Sequence, residues 1–165
     1  MVRSDDKSIV VAGIGNPMRG DDAVGRLVAR VLIARQLPDI RIIESEGEAT
    51  QLLEALAGAA GAIVIDACRS GAPVGTIHRF NASQAPLPML TGNFSSHGFG
   101  LAAALELART FEQLPHNCVI FAVEGEVFTH DSPLSAPVVA RFDELVARVE
   151  KEIEHMILAP VVSSA

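Results

Sequence analysis

The chain has 165 residues, which fits one domain with a substantial core. Hydrophobic residues make up 49% without any Trp or Tyr, so Val, Ile, Leu, Ala and a few Phe must build that core. This is the composition of a parallel sheet covered by helices on both faces. The net charge of −7, from 13 Lys+Arg and 20 Asp+Glu, argues against general nucleic-acid binding, where basic residues supply most of the affinity.

Residues 1–7 are polar and lack an apolar h-region, so no signal peptide is expected. Residues 8–13 (SIVVAG) read as a buried strand that ends in the turn Ile14-Gly15-Asn16-Pro17. Val24, Leu27, Val28, Val31 and Leu32 then form one apolar face of a helix over 22–36. Residues 40–44 (IRIIE) are a second strand, followed by a helix over 50–57. Residues 62–66 (AIVID) are a wholly apolar third strand that ends on Asp66. Residues 75–80 (GTIHRF) alternate and suit an edge strand, antiparallel to the rest. Residues 81–91 read as a surface loop rich in Pro and small residues. His97 opens a helix that carries Leu101, Ala104, Leu105, Ala108 and Phe111. Residues 117–123 (NCVIFAV) form another buried strand. Ser135, followed by Pro137, is the expected N-cap of a last helix whose buried face holds Val138, Phe142, Leu145, Val149 and Ile153.

Alternating strands and helices predict an α/β fold, a three-layer α/β/α sandwich with a mostly parallel central sheet. A single domain is expected over 1–165, with its core at about 8–156 and flexible tails at 1–7 and 157–165. No stretch is long and apolar enough to span a bilayer. Cys68 and Cys118 match neither a zinc-finger spacing nor a secreted disulfide framework. A reducing, cytoplasmic setting is the expectation, with no membrane or nucleic-acid partner.

Ligands of open parallel sheets gather beyond the carboxyl ends of the strands. That topology allows Asp22, Asp66 and His97 to meet at one edge. Two carboxylates and an imidazole form an open oxygen and nitrogen set, suited to a borderline divalent ion that polarises a carbonyl or activates water. Each residue also has an ordinary reading. Asp21 and Asp22 suit a helix start, Asp66 could bond a neighbouring turn, and His97 could be a local hydrogen-bonder. Gly13-Ile14-Gly15-Asn16 lacks the third glycine of a dinucleotide loop and the Lys-Ser/Thr of a P-loop, so Gly15 is read as serving a tight turn that Asn16 braces. Cys68, two residues beyond Asp66, is read as a small buried residue before a soft ligand or nucleophile. His78, His116, His130 and His155 are read as structural or solvated. Glu124 and Glu126 stand as reserve candidates for an extra ligand or base.

The run from Gly13 to Gly25 (GIGNPMRGDDAVG) resembles the N-terminal signature of the hydrogenase maturation proteases, Gly-x-Gly-Asn followed by Asp-Asp/Glu-x-x-Gly. Val64-Ile65-Asp66-Ala67, then Ser95-Ser96-His97 with Gly98 to Leu105, then Val123-Glu124-Gly125 with Leu134-Ser135, follow in the family's order. The resemblance spans about residues 8–155 and implies a phosphorylase/hydrolase-like fold. It implies an endopeptidase that removes a C-terminal peptide from the nickel-loaded large-subunit precursor of a nickel–iron hydrogenase. It further implies that Asp22, Asp66 and His97 are the catalytic, metal-contacting trio. Gly15, Asn16 and Asp21 would support the turn and the substrate. Nickel would come from the substrate rather than reside in the enzyme, and zinc or cadmium would fit the same ligands. Glu46-Gly47-Glu48-Ala49-Thr50 departs from the Gly-Gly-Thr/Ser pattern that the family commonly carries after its second strand.

Three other functions compete. A peptidyl-tRNA hydrolase shares the Gly-x-Gly-Asn-Pro turn, but its Arg-His-Asn segment is absent and the chain is acidic. A non-catalytic nickel-sensing chaperone would use the same ligands. A nucleotide-binding domain would be stabilised by nucleotides. The particular hydrogenase and the oligomeric state stay open, a monomer being compatible with the sequence.

Overall fold

The computed structural model describes residues 8–88 and 98–159, with the side chain of Phe99 outside that description. In chain order the elements are β1 (Ile9–Ile14), a 3-10 turn (Gly20–Ala23), α1 (Val24–Ala34), β2 (Ile40–Ser45) and α2 (Ala49–Leu56). β3 (Gly61–Cys68), β4 (Ile77–Asn81), α3 (Gly98–Thr110), β5 (Cys118–Glu124) and α4 (Ala136–Leu158) complete the chain. The strand order is β2-β1-β3-β5-β4. β1, β2, β3 and β5 are parallel, while β4 runs antiparallel to β5 at the edge, as its alternating sequence predicts.

Two apolar layers sandwich the sheet. Odd-numbered residues of β1, β3 and β5, such as Val11, Ile65 and Phe121, pack against Val24, Val28 and Leu32 of α1 and Leu145 and Val149 of α4. Even-numbered residues, such as Ala12, Val64 and Ile120, pack against Leu52 and Leu56 of α2 and Leu101 and Leu105 of α3. The period of two along each strand decides which layer a residue joins. It puts Asp66, Cys68 and Glu124 on the α2/α3 side, as the Cys68–Glu124 register pair requires. No helix among the described residues is long and apolar enough to cross a membrane.

Two boundaries differ from the sequence expectation in ways that matter. Asp66 does not end its strand: β3 continues to Cys68, because Ala67 and Cys68 still pair with Val123 and Glu124 of β5. The expected helix from residue 22 begins with a tighter 3-10 turn, and α1 proper starts at Val24. Residues 81–88 contain only the end of β4 and irregular backbone. The rest of the expected 81–91 loop, the residue before α3 (His97) and the tail from 160 lie outside the described residues.

Glycines set the seat of α1. A Cβ on Gly13 would lie 2.2 Å from Gly25 O, and one on Gly25 would lie 2.2 Å from Ile65 O and 2.7 Å from Ile14 O. The first turn of α1 therefore touches β1 and β3 backbone to backbone, closer than any side chain permits. Gly15 adopts φ 134°, and its Cβ would meet Asp22 O at 1.8 Å. Only glycine reconciles that backbone angle with that approach.

Asp21, fully buried, locks the same turn to the segment between β5 and α4. Its Oδ2 accepts the backbone N–H groups of Glu126 (2.9 Å) and Val127 (3.0 Å) and the Ser135 hydroxyl (2.9 Å), and Oδ1 accepts Ser135 N–H at 2.7 Å. Ser135 occupies the N-cap position of α4 as expected, but its hydroxyl serves Asp21 rather than its own helix. Backbone bonds Gly20 N–Ser132 O (3.0 Å), Asp21 N–Val127 O (2.7 Å) and Asp131 N–Met18 O (2.7 Å) extend the seam.

Gly25→Ala should cost about 3 kcal/mol, the scale of overpacking against a backbone that cannot yield. Gly58→Ala, at φ 76° with open space around it, should cost only about 1–2 kcal/mol of left-handed strain. Urea unfolding of both variants checks the contrast, and equal losses would contradict the close-packing account. Asp21→Asn keeps the volume but turns an amide N–H₂ toward N–H donors. A loss of about 2–4 kcal/mol is expected by the same measurement.

Candidate functional site

Asp22 follows Asp21 in the 3-10 turn and is likewise 0% exposed. Its Oδ2 accepts the Asn16 backbone N–H at 3.0 Å, so the turn that ends β1 and the carboxylate hold each other in place. Asn16 folds its own side chain inward along the loop, Oδ1 accepting Met18 N–H at 2.9 Å, an Asx turn that stiffens the approach to Asp22. Gly15 N–H bonds Ser45 O at 2.9 Å, which ties this turn to the end of β2. Gly15, Asn16 and Asp21, read as turn and substrate support, thus lie in or beside the turn that carries Asp22.

Asp66 is 0% exposed and lies in β3 one residue beyond the Gly13–Ile65 pair, level with the end of β1. Its Oδ1 accepts the following backbone N–H, that of Ala67, at 2.8 Å. Asp22 and Asp66 therefore both sit at the carboxyl-end edge of two neighbouring parallel strands, where the sheet architecture collects ligands. His97 lies outside the described residues, one position before α3 begins. The start of α3 packs near the same edge: a Cβ on Gly100 would meet Gly47 O at 2.3 Å, in the loop that follows β2.

That loop lines a cleft of about 570 Å³ with Arg26, Glu44, Ser45, Glu46, Glu48, Thr50, Gln51 and Glu54. The segment that departs from the common glycine-rich pattern, 46–50, forms part of this wall. Arg26 spans cleft and turn, its Nε donating to Glu44 Oε1 at 2.8 Å and its Nη1 to Gly15 O at 3.2 Å. Burial alone would raise the Glu44 pKa, but bonds from Arg26 and Arg30 prevail and hold it below the usual value. With four glutamates against one arginine, the lining favours basic or hydrogen-bond-donating groups.

A second cluster was not assembled by sequence reasoning. Glu124, the last residue of β5, accepts bonds at Oε1 from Ser70 N–H (2.6 Å) and Gly71 N–H (3.0 Å). Its Oε2 accepts from Ser70 Oγ (2.8 Å) and Cys68 Sγ (3.3 Å) and lies 3.3 Å from His78 Nε2. Burial pushes the Glu124 carboxyl up, yet these donors outweigh it and keep its pKa below normal. Burial first, then the neighbouring carboxylates of Glu124 and Asp66, push the Cys68 thiol far up. Burial also pushes Cys118 up to about 12. A nucleophilic thiolate needs the opposite environment, so the nucleophile reading of Cys68 is disfavoured. His78 therefore has a structural partner, which its alternation with Phe80 could not reveal. Glu126 contributes its backbone N–H to Asp21. His130 is exposed beside Asp131.

The comparisons with known proteins agree with one another. A family model described as Hydrogenase maturation protease matches residues 26–152. The match includes Asp66 and the position of His97 and begins one residue after the Gly13–Gly25 run. No curated protein sequence matches. Among solved structures, the hydrogenase maturating endopeptidase HybD from E. coli aligns with TM-score 0.77 at 23% identity, over 90% of this chain and 93% of that one. The [NiFe] hydrogenase maturation protease HybD from Thermococcus kodakarensis aligns with TM-score 0.74 at 20% identity, over 88% and 99%. A hydrogenase 2 maturation peptidase from Thaumarchaeota archaeon SCGC_AB-539-E09 aligns with TM-score 0.65 at 23% identity, over 89% and 98%. At such identities the structures speak for the shared α/β fold, while the family model covers well over half the chain. The chain belongs to the hydrogenase maturation protease family.

Proposed function

We propose that this protease removes a C-terminal peptide from the large-subunit precursor of a nickel–iron hydrogenase, in the cytoplasm, after nickel has been installed. The observation that carries the reading is the pair of fully buried carboxylates, Asp22 and Asp66, at the carboxyl ends of neighbouring parallel strands in a chain of this family. Burying a carboxylate costs several kcal/mol, so two at one sheet edge indicate a site rather than a surface. Two free cysteines accord with a reducing compartment.

In this reading nickel is part of the substrate. The ion acts as a Lewis acid that polarises the scissile carbonyl or activates water. The donor set of Asp22, Asp66 and His97 suits such a borderline ion, and zinc or cadmium would fit it equally. The chain's own residues supply rigidity. Asn16 N–H fixes Asp22, Ala67 N–H fixes Asp66, and the Asp21 seam holds the turn that carries Asp22. Carboxylates held this way present their charge without reorganising when the peptide arrives, which lowers the barrier through positioning.

Asp22→Asn, Asp66→Asn and His97→Ala should each reduce precursor processing by at least about a hundredfold, as for loss of a positioned electrostatic group. Mass spectrometry of the precursor with each variant measures this, with urea unfolding as the check that the fold persists. Many precursor molecules cleaved per wild-type chain would separate an enzyme from a stoichiometric chaperone. Normal processing by all three variants would overturn the assignment.

A further inference from the structure

Cys68, His78 and Glu124 bring three different ligand chemistries to one point. Cys68 Sγ, His78 Nε2 and a Glu124 carboxylate oxygen all lie within 4.8 Å of one another. The Sγ–Oε2 and Nε2–Oε2 separations are both 3.3 Å. Ligand atoms at the corners of a tetrahedron around zinc, with bonds of about 2.0–2.3 Å, stand about 3.3–3.6 Å apart. The two separations to Oε2 are already those of a coordination shell, and the third pair lies within 4.8 Å.

Three strands deliver these groups to the same sheet face. Cys68 and Glu124 are direct register partners of β3 and β5, and His78 pairs with Ala122, two residues before Glu124 on β5, so His78 and Glu124 are diagonal neighbours. The surrounding contacts orient the ligands. Glu124 Oε1 is occupied by the Ser70 and Gly71 backbone N–H groups, which turns Oε2 toward the sulfur and the imidazole. The His78 ring stacks on Phe80 at 6.0 Å between centroids and 10° between planes. Such outer contacts fix ligand orientation in metal centres. Cys68 and Glu124 are buried, whereas the His78 side chain is 22% exposed and gives an ion its way in.

The geometry points to a binding site for a zinc-class divalent cation, held by Cys68 Sγ, His78 Nε2 and Glu124 Oε2 with the fourth position open. The sulfur–metal bond forms as the thiol proton leaves to solvent, the cation taking the place of that proton. The mixed thiolate, imidazole and carboxylate set favours zinc over calcium or magnesium. The ion ties β3, β5 and β4 together at the edge that also carries Asp66. The site uses none of Asp22, Asp66 and His97, so it stands independently of the maturation reading.

Cobalt(II) serves as the probe, since thiolate ligation gives it a charge-transfer absorption and tetrahedral geometry gives it intense visible bands. The full-length protein, stripped with a chelator and kept reduced, is titrated with Co²⁺. A single equivalent should produce both signals. Cys68→Ser should abolish the charge-transfer band, and His78→Asn should weaken binding about tenfold or more. Cys118→Ser and Asp66→Asn should leave the band in place. Thermal unfolding of each variant checks that it is folded, and His78→Asn, at the exposed ligand, is the variant that best spares the core. The proposal is overturned if no charge-transfer band appears, if the band survives Cys68→Ser, or if His78→Asn binds unchanged. Loss of the band in Asp66→Asn with retention in His78→Asn would assign the ion to the aspartate site instead. These outcomes are read without the protease assay, so neither proposal falls with the other.

Discussion

The contact on which most else depends is between backbones: Gly25 of α1 against Ile65 O and Ile14 O, with Gly13 against Gly25 O. No side chain separates the helix start from the adjacent ends of β1 and β3. The helix axis, and with it the 3-10 turn that precedes it, is thereby fixed to the sheet within a narrow margin. Asp22 is carried by that turn and Asp66 by the strand beneath it. The relative position of the two carboxylates therefore follows from glycine packing.

The same turn holds two adjacent acids with different work. Asp21 spends its carboxylate on four donors from the segment after β5 and the start of α4, tying the turn before α1 to the entry of α4. Asp22 points its Oδ2 at Asn16 N–H, toward the strand ends. Burial of either charge would be costly alone, and backbone donors offset that cost. Consecutive residues with different partners let one carboxylate brace the structure while its neighbour is presented at the sheet edge.

Much of this was legible in the sequence, for reasons that can be named. β1, β3 up to Asp66 and β5 up to Glu124 are continuous apolar runs, which strands buried on both faces favour, and Ile77–Asn81 alternates at the sheet edge. The glycine-rich signature showed where a tight turn must lie, although not that Gly25 belongs to the same contact. The extent of β3 was missed, because Asp66 looks like a terminator until β5 is known to pair on through Cys68–Glu124. The partners of Asp21, read as a helix-start residue or a turn support, stayed hidden because they lie more than a hundred positions away in sequence, at 126, 127 and 135. His78 was read apart from any constellation because its link to Glu124 depends on strand register, which no local pattern encodes. Long-range pairing is the common cause of these misses, and local periodicity the common cause of the successes.

The central claim, that cleavage awaits nickel in the substrate, is tested most directly by offering one precursor in two states. Purified protein is mixed with nickel-loaded and nickel-free large-subunit precursor of a cognate hydrogenase, and the products are weighed by mass spectrometry. Loss of a C-terminal peptide from the loaded precursor alone is the predicted result. Equal cleavage of both forms, or none of a demonstrably loaded precursor, would contradict it.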